Sequence, residues 1–233
     1  IEAVETIFTN SDAASCDVLE KVYKPKYKES PDSLELMVKI TSLLEKGDCT
    51  ERPFYATASE TLYEIRPSAG AARHLAELFK GREDYDKAIS YYEEAIEKSE
   101  DSVIIAEYYQ ALGNIYYDQK EDNRTAVAKA KQAVSYDPTN GPAYILMGLG
   151  YAAASGTCGE NQFQHNAVYW IAVDKFQRAK NVDSAVAGKA DKLINAYSKR
   201  FPNNEDAFMF GNVEDCDTYN FNEVKKCWIN EVT

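Results

Sequence analysis

The side chains with the clearest chemical potential are Cys158 and His165, which lie close together in one charge-poor insertion. A cysteine beside a histidine can act as a nucleophile activated by a base. The sequence supplies no third group to orient this pair. It also lacks a P-loop and the patterns G-x-S-x-G, H-E-x-x-H and G-x-G-x-x-G. We therefore predict no catalytic residues, no cofactor and no enzymatic activity.

The remaining cysteines and histidines do not form a metal-binding pattern. No C-x-x-C pair occurs, and the chain has only two histidines, His74 and His165. A zinc site normally shows closely spaced ligands. The choice is therefore between thiols and disulfides for five cysteines, which are Cys16, Cys49, Cys158, Cys216 and Cys227.

Composition and charge exclude two classes of partner. The chain has 233 residues, of which 45% are hydrophobic and 27% charged, as in an ordinary globular protein. Its formal net charge is −12. Nucleic acids and anionic membranes both require a basic surface, so neither is expected as a partner. The most apolar run, 143–155, is shorter than the roughly 20 residues that span a bilayer.

The elements that position the side chains follow a repeating pattern. A first helix carries a large residue (alanine in the first copy), then a leucine or methionine, a small residue and an aromatic. A second helix carries spaced alanines, with an aromatic among them in the first and third copies. The first copy is Ala72, Leu75, Ala76 and Phe79, then Ala88, Tyr92 and Ala95. The second copy is Tyr109, Leu112, Gly113 and Tyr116, then Ala126, Ala130, Ala133 and Pro138. The third copy is Tyr144, Met147, Gly148 and Tyr151, then Ala172, Phe176 and Ala179.

This pattern resembles the tetratricopeptide repeat (TPR), which has a period of about 34 residues. Small residues at Ala76, Gly113 and Gly148 allow the second helix to approach the first. An unrelated amphipathic bundle would not repeat the same order of small and large residues. We predict an all-α TPR helical-hairpin solenoid, a right-handed superhelix, with a C-terminal capping helix and a small β-hairpin-like tail.

The flanks complete a three-part organisation. Residues 1–67 are predicted to hold N-terminal helices, including a helix from Ser15 to Lys24 and a degenerate repeat from Leu34 to Pro67. Residues 68–185 hold the three repeats, with an insertion at 155–166. Residues 186–233 hold a capping helix over 186–200 and a short β-like tail.

Several longer segments resemble a group of exported TPR proteins from gut Gram-negative anaerobes. They are CGENQFQHNAVYWIAVDKFQRAKNVD from Cys158, AYSKRFPNNEDAFMFG from Ala196, CWINE from Cys227, and the stretch from Ala14 through LEKGDC to LYEIRPSAG. The resemblance covers nearly the whole chain. It implies a protein of the bacterial cell envelope, periplasmic or exported, with a larger N-terminal part missing here and with no catalytic residues. The chain begins at Ile1, so any signal peptide is expected to have been removed.

Helix geometry suggests how the cysteines pair. Two antiparallel helices joined near 25–31 would bring Cys16 close to Cys49. The insertion and the tail share one end of the solenoid, so Cys158 is expected to pair with Cys227. A short-loop bridge between Cys216 and Cys227 is the competing possibility, and five free thiols are the other.

The ligand is expected on the concave side, which the first helix of each TPR hairpin lines. The inward positions are Arg73, Glu77 and Lys80, then Gln110, Asn114 and Tyr117, then Ile145, Leu149 and Ala152. The predicted groove is thus charged, then polar, then apolar. Chaperone-binding TPR domains hold a terminal carboxylate with Lys, Asn and Arg. We expect only Arg73 and Asn114 to be able to play such a part here, and the third repeat is apolar, so such a clamp is not expected.

Two functions are compatible with the sequence. The first is a non-enzymatic scaffold that binds a protein or extended peptide in the groove. The alternative is a glycan-binding or hydrolytic envelope protein with a site near the insertion and tail, where Trp170 and Trp228 lie. The apolar third repeat is also open to two interpretations. Ile145 and Leu149 either form an open stripe or are covered by the chain's own segment 208–229.

Overall fold

The computed structural model describes residues 15–203, together with residues 205, 209, 221, 224 and 227–229. This part of the chain forms ten α-helices and contains no strand. The helices are α1 Cys16–Glu29, α2 Leu34–Lys46, α3 Pro53–Ile65, α4 Ala69–Gly81, α5 Tyr85–Lys98, α6 Ser102–Asp118, α7 Asn123–Tyr136, α8 Gly141–Ala153, α9 Gln162–Val182 and α10 Ala187–Tyr197. The chain divides into two compact units, Ile1–Lys98 and Ser99–Thr233. The all-α helical-hairpin fold predicted from the sequence is confirmed.

Local sequence signals start many of these helices. A polar side chain just before the helix accepts a hydrogen bond from a backbone N–H that the first turn leaves unpaired. Five side chains accept such a bond: Ser33 from Leu36 N, Ser68 from Ala71 N, Asp101 from Val103 N, Asp122 from Thr125 N and Asn140 from Ala143 N. The caps set the start of both helices in the second repeat, so that its inward face is fixed by local chemistry.

The first unit contains α1 to α5. Its core is built on α2 and α3, where Met37, Ile40 and Tyr55 are fully buried. The hairpin of α4 and α5 buries the predicted set Ala72, Leu75, Ala76 and Phe79 with Ala88, Tyr92 and Ala95. Arg82, at the α4–α5 turn, donates hydrogen bonds of 2.7 Å to the carbonyl oxygens of Thr50 and Arg52. This side chain ties the turn to the connection between α2 and α3.

The second unit contains the hairpins α6–α7 and α8–α9, followed by α10. Glycine allows the close approach that the repeat needs. A Cβ at Gly113 would lie 2.6 Å from Leu146 Cδ2 and 3.2 Å from the carbonyl oxygen of Ala126 on α7. One at Gly148 would lie 2.8 Å from the carbonyl oxygen of Ala172 on α9. The small residues predicted at Gly113 and Gly148 therefore lie where the backbones of two paired helices come into contact.

The first three connections between paired helices, in the α2–α3, α4–α5 and α6–α7 hairpins, each contain one residue in an unusual conformation. Asp48, Glu83 and Glu121 have positive φ angles of 54°, 62° and 52°, and each lies shortly after α2, α4 or α6. A non-glycine residue rarely adopts this left-handed conformation. The same turn therefore recurs in the α2–α3 hairpin, whose sequence departs furthest from the repeat pattern.

Three predicted boundaries differ from the structure. Helix α1 runs to Glu29 rather than Lys24 and includes Pro25. The carbonyl that this proline leaves without a partner belongs to the exposed Lys21, where water can reach it. Helix α9 begins inside the predicted insertion, because Asn161 caps it by accepting a hydrogen bond from Gln164 N. The predicted capping helix ends at Tyr197 and continues as the 3-10 turn Ser198–Arg200.

The predicted hairpin at 208–229 lies largely outside the described residues. Among those described, Glu205 and Met209 are helical, Phe221 is in a 3-10 turn, and none is in a strand. Phe221, Val224 and Ile229 are buried in the same core as α8 and α9. These three tail residues thus pack in the core of the second unit. Within the described ranges, no helix combines the length and hydrophobicity needed to cross a membrane.

Candidate functional site

In the first unit, the predicted inward residues of α4 form a charged cluster. Glu77 accepts a hydrogen bond from the Tyr92 hydroxyl and pairs with Lys80. Burial raises the pKa of Glu77, but the hydrogen bonds from Lys80 and Tyr92 and the positive charges of Lys80 and Arg73 outweigh it, so the pKa falls below its ordinary value. Glu77 is therefore an ionised group that is already satisfied, whereas Arg73 is exposed.

The first unit also contains tyrosine–glutamate pairs that the sequence did not predict. The Tyr55 hydroxyl lies 2.6 Å from Glu45 Oε1 and 2.6 Å from Nε2 of the exposed His74. Tyr63 donates to Glu94, and Tyr91 donates to Glu60 at 3.2 Å. Burial, followed by the neighbouring carboxylate, raises the pKa of Tyr55, Tyr63 and Tyr91. The first pair joins the consecutive helices α2 and α3, and the other two join α3 to α5 across 31 residues of sequence.

These raised tyrosine pKa values predict alkaline instability. The folded state favours the protonated phenol, so each raised pKa stabilises the folded state. This stabilisation is complete below the unfolded tyrosine pKa of about 10 and is lost as the pH rises above that value. We expect the free energy of unfolding to fall between about pH 9 and about pH 11. Tyr63→Phe should reduce that fall. Denaturant titrations across this range measure it.

Tyr85→Phe provides the matched control, because no carboxylate bonds to Tyr85 among the described residues. This variant should keep the parent's alkaline loss of stability. An equal reduction in both variants would show that the Tyr63–Glu94 hydrogen bond is not its cause.

In the second unit, α6 presents the predicted polar face. Gln110, Asn114 and Tyr117 are each half-buried and share one side of the helix, since they are spaced by four and three residues. Tyr117 packs against the unit's core. Burial raises the pKa of Tyr117, and the neighbouring Tyr197 and Asp118 add to this effect. The Tyr117 hydroxyl is therefore expected to stay protonated at neutral pH, so it can both donate and accept a hydrogen bond.

The third repeat does not offer the apolar stripe expected of an open groove. Ile145 and Ala152 are 3% and 5% exposed, and only Leu149 keeps a partly exposed side chain. Ile145 belongs to the core cluster that also contains Phe221, Val224 and Ile229 of the tail. Ile145 is therefore a core residue in this structure rather than part of an open stripe, and its covering by segment 208–229 stays a prediction.

The structure pairs four of the five cysteines. Cys16 is bonded to Cys49, with Cα atoms 5.6 Å apart, and Cys158 to Cys227, with Cα atoms 4.2 Å apart. These are the pairs expected from helix geometry; Cys216 lies outside the described residues. Because Cys158 is buried and bonded, it cannot serve as the nucleophile considered for the Cys158–His165 pair.

The two tryptophans take part in packing. Trp170 meets Phe163 and Phe201 edge-on, with ring centroids 5.8 and 6.4 Å apart. Trp228 lies 5.8 Å from the buried ring of Tyr151. Across the described part of the chain, no group of His, Cys, Asp or Glu is arranged to hold a metal ion. The surroundings of these rings therefore give no specific support to a glycan-binding or hydrolytic site.

A second polar feature of this unit was not predicted. Arg200 Nη1 donates to the Tyr169 hydroxyl at 3.2 Å, and that hydroxyl lies 2.8 Å from Ser155 Oγ. The Tyr169 and Tyr197 rings stack with centroids 5.7 Å apart. Burial raises the pKa of Tyr169, but the hydrogen bonds from Ser155 and Arg200 and the Arg200 charge outweigh it and lower the pKa. We call these four residues, Ser155, Tyr169, Tyr197 and Arg200, the arginine platform.

Comparison with known proteins identifies the repeats. Residues 71–103 and residues 106–140 each match the tetratricopeptide repeat family. The chain therefore carries tetratricopeptide repeats, and the matches fall on the first two of the three copies read from the sequence. No curated protein sequence matches the chain.

Solved structures share the fold. One crystal structure of MamA protein is 18% identical, with a TM-score of 0.54, and the match covers 81% of this chain and 96% of that one. Another crystal structure of MamA is 19% identical, with a TM-score of 0.52, and covers 74% of this chain and 92% of that one. These similarities show a common TPR-type helical architecture.

Proposed function

We propose that this chain is a non-enzymatic scaffold that binds a protein or extended peptide on the inward faces of its repeats. The observation that carries the proposal is the face of α6, where Gln110, Asn114 and Tyr117 remain partly exposed while Leu112, Gly113 and Ile115 are buried. A helix with one side in the core and two amides and a phenol on another side is suited to contact with peptide.

The residue types on this face fit a peptide better than other ligands. Side-chain amides both donate and accept hydrogen bonds, so Gln110 and Asn114 can pair with a peptide backbone. Tyr117 offers a rigid ring and one hydroxyl, which are the properties of an interface anchor. The net charge of −12 opposes binding of nucleic acid.

We further propose that the protein works in an oxidising compartment, the bacterial cell envelope. Two disulfides support this location, because such bonds persist outside the reducing cytosol. The sequence resemblance to exported TPR proteins agrees with it. Alkylation of intact cells followed by peptide mass spectrometry tests the location, since thiols labelled at Cys16 and Cys49 would contradict it.

Site-directed cross-linking tests the binding surface. A photoreactive residue at Asn114 should capture a discrete partner from envelope extract. The same residue at Gln132, an exposed position on α7 outside the proposed surface, should not. Tyr117→Ala should weaken binding of the captured partner by about ten-fold or more, as expected for an interface anchor.

Thermal melts accompany this comparison, because Tyr117 also packs against the core. Binding that drops while the melting temperature stays near the parent's supports the surface. Equal capture at Asn114 and Gln132, or unchanged affinity in Tyr117→Ala, rejects it.

A further inference from the structure

The arginine platform holds a positive charge in a fixed place on the second unit. The Arg200 guanidinium carbon lies 5.5 Å from the centroid of the Tyr169 ring and 5.6 Å from that of Tyr197. The 3.2 Å hydrogen bond to Tyr169, itself 8% exposed, fixes one edge of the guanidinium. Two rings and one hydrogen bond thus restrain a long side chain that is usually mobile. A ligand would therefore bind a charge whose conformation is already limited.

The charge is restrained, and no carboxylate of the described residues neutralises it. Arg200 is exposed and has no carboxylate partner among the described residues. Other cations of the chain do have one: Lys180 lies 2.6 Å from Asp191, and Arg52 lies 2.9 Å from Asp17. The groups that contact the guanidinium, which are the Tyr169 hydroxyl and the two tyrosine rings, carry no charge. Its remaining N–H groups can donate to an anion that approaches from solvent.

We infer that the arginine platform binds one carboxylate of the peptide or protein ligand, through the free N–H groups of Arg200. This inference rests on the proposed scaffold function and adds a specific contact to it. A guanidinium presents two parallel N–H groups that match the two oxygens of a carboxylate. The contact differs from the clamp considered for Arg73 and Asn114, since Arg200 follows α10.

Charge and surroundings define the ligand further. One guanidinium balances the single charge of a carboxylate but not the double charge of a phosphate, and the chain's net charge of −12 disfavours any acid-rich segment. Tyr197 is half-buried, so part of its side chain faces solvent beside Arg200. The fitting ligand segment therefore carries one carboxylate beside an aromatic or aliphatic side chain, which can lie against Tyr197.

Small probes test the inference on the full chain. We would titrate N-acetyl-Phe-Glu-amide and its neutral counterpart N-acetyl-Phe-Gln-amide, and follow the backbone amide of Tyr197 by NMR. The Glu probe should bind about five-fold more tightly than the Gln probe to the parent, and less than about two-fold more tightly to Arg200→Gln. N-acetyl-Gln-Phe with a free C-terminus shows whether a terminal carboxylate serves equally well.

Lys199→Gln is the matched control, because it removes the same charge from the neighbouring exposed residue. It should keep the parent's preference for the Glu probe. Arg200→Lys guards against a folding defect in Arg200→Gln, since it retains the charge and loses only the paired donors. It should bind the Glu probe less tightly than the parent does.

The outcomes separate this inference from the proposed function. Equal binding of the Glu and Gln probes, equal effects of Lys199→Gln and Arg200→Gln, or tighter binding of inorganic phosphate would each overturn it. None of these results depends on capture at Asn114. Failure of that cross-linking would reject the groove while a carboxylate preference at Arg200 remained measurable.

Discussion

Gly113→Leu is expected to destabilise the second unit by roughly 1–3 kcal/mol or more, because the new side chain has no room. Its Cβ would lie 2.6 Å from Leu146 Cδ2 and 3.2 Å from the Ala126 carbonyl oxygen. Leu146 could shift, but the α7 backbone could move only by separating the two helices of the hairpin. Denaturant unfolding measures the loss, and hydrogen exchange in α6 and α7 locates it.

Gly188→Leu is the matched control in the same unit. A Cβ at Gly188 on α10 meets nothing within 4 Å, so this substitution adds side-chain volume without a clash. Because glycine disfavours helices, Gly188→Leu should be neutral or stabilising by up to about 1 kcal/mol. If both variants unfolded like the parent, the assignment of Gly113 to the repeat's close contact would be wrong.

This contrast shows why the fold could be predicted from the sequence. The repeat specifies small residues where two backbones approach and large residues beside them, and both requirements act within about 34 residues of chain. The positions of Gly113 and Gly148 in the repeat pattern are therefore enough to predict their hairpins. Gly188 has no such neighbours, and the sequence pattern does not include it.

The contacts between distant segments could not be predicted in this way. Tyr63 with Glu94 and Tyr91 with Glu60 join helices about thirty residues apart, and in the sequence both glutamates resemble ordinary solvated charges. The high tyrosine count of 17 is the only sequence signal. It cannot indicate which carboxylate each hydroxyl reaches, because hydrogen-bond partners follow from packing.

Some residues of the candidate site could likewise be predicted from the sequence, and others could not. Gln110, Asn114 and Tyr117 could be placed on one face, because helical spacing alone sets their direction. Ile145 could not be assigned, since helical spacing sets its direction but not its burial, and it is 3% exposed in the structure. Arg200 follows the last predicted helix, and only the positions of Tyr169 and Tyr197 distinguish it from any exposed arginine.

The tail's attachment leads to the second large effect. Replacing Cys158 and Cys227 together with alanine is expected to destabilise the second unit by about 4 kcal/mol, according to the chain-entropy model for their separation of 69 residues. Changing both avoids leaving one reactive thiol. The tail residues Phe221, Val224 and Ile229 would then rely on burial alone to stay docked. Denaturant unfolding measures the loss, and hydrogen exchange in α8 and α9 shows whether it is local.

Cys216→Ser is the control, because Cys216 is the cysteine left over when the two pairs form. It should unfold like the parent, and reducing the parent should reproduce the defect of the double variant together with the loss of the Cys16–Cys49 bond. Mass spectrometry of non-reduced peptides identifies the pairing directly. A peptide joining Cys216 to Cys227, with destabilisation in Cys216→Ser, would assign the tail's anchor to that short loop.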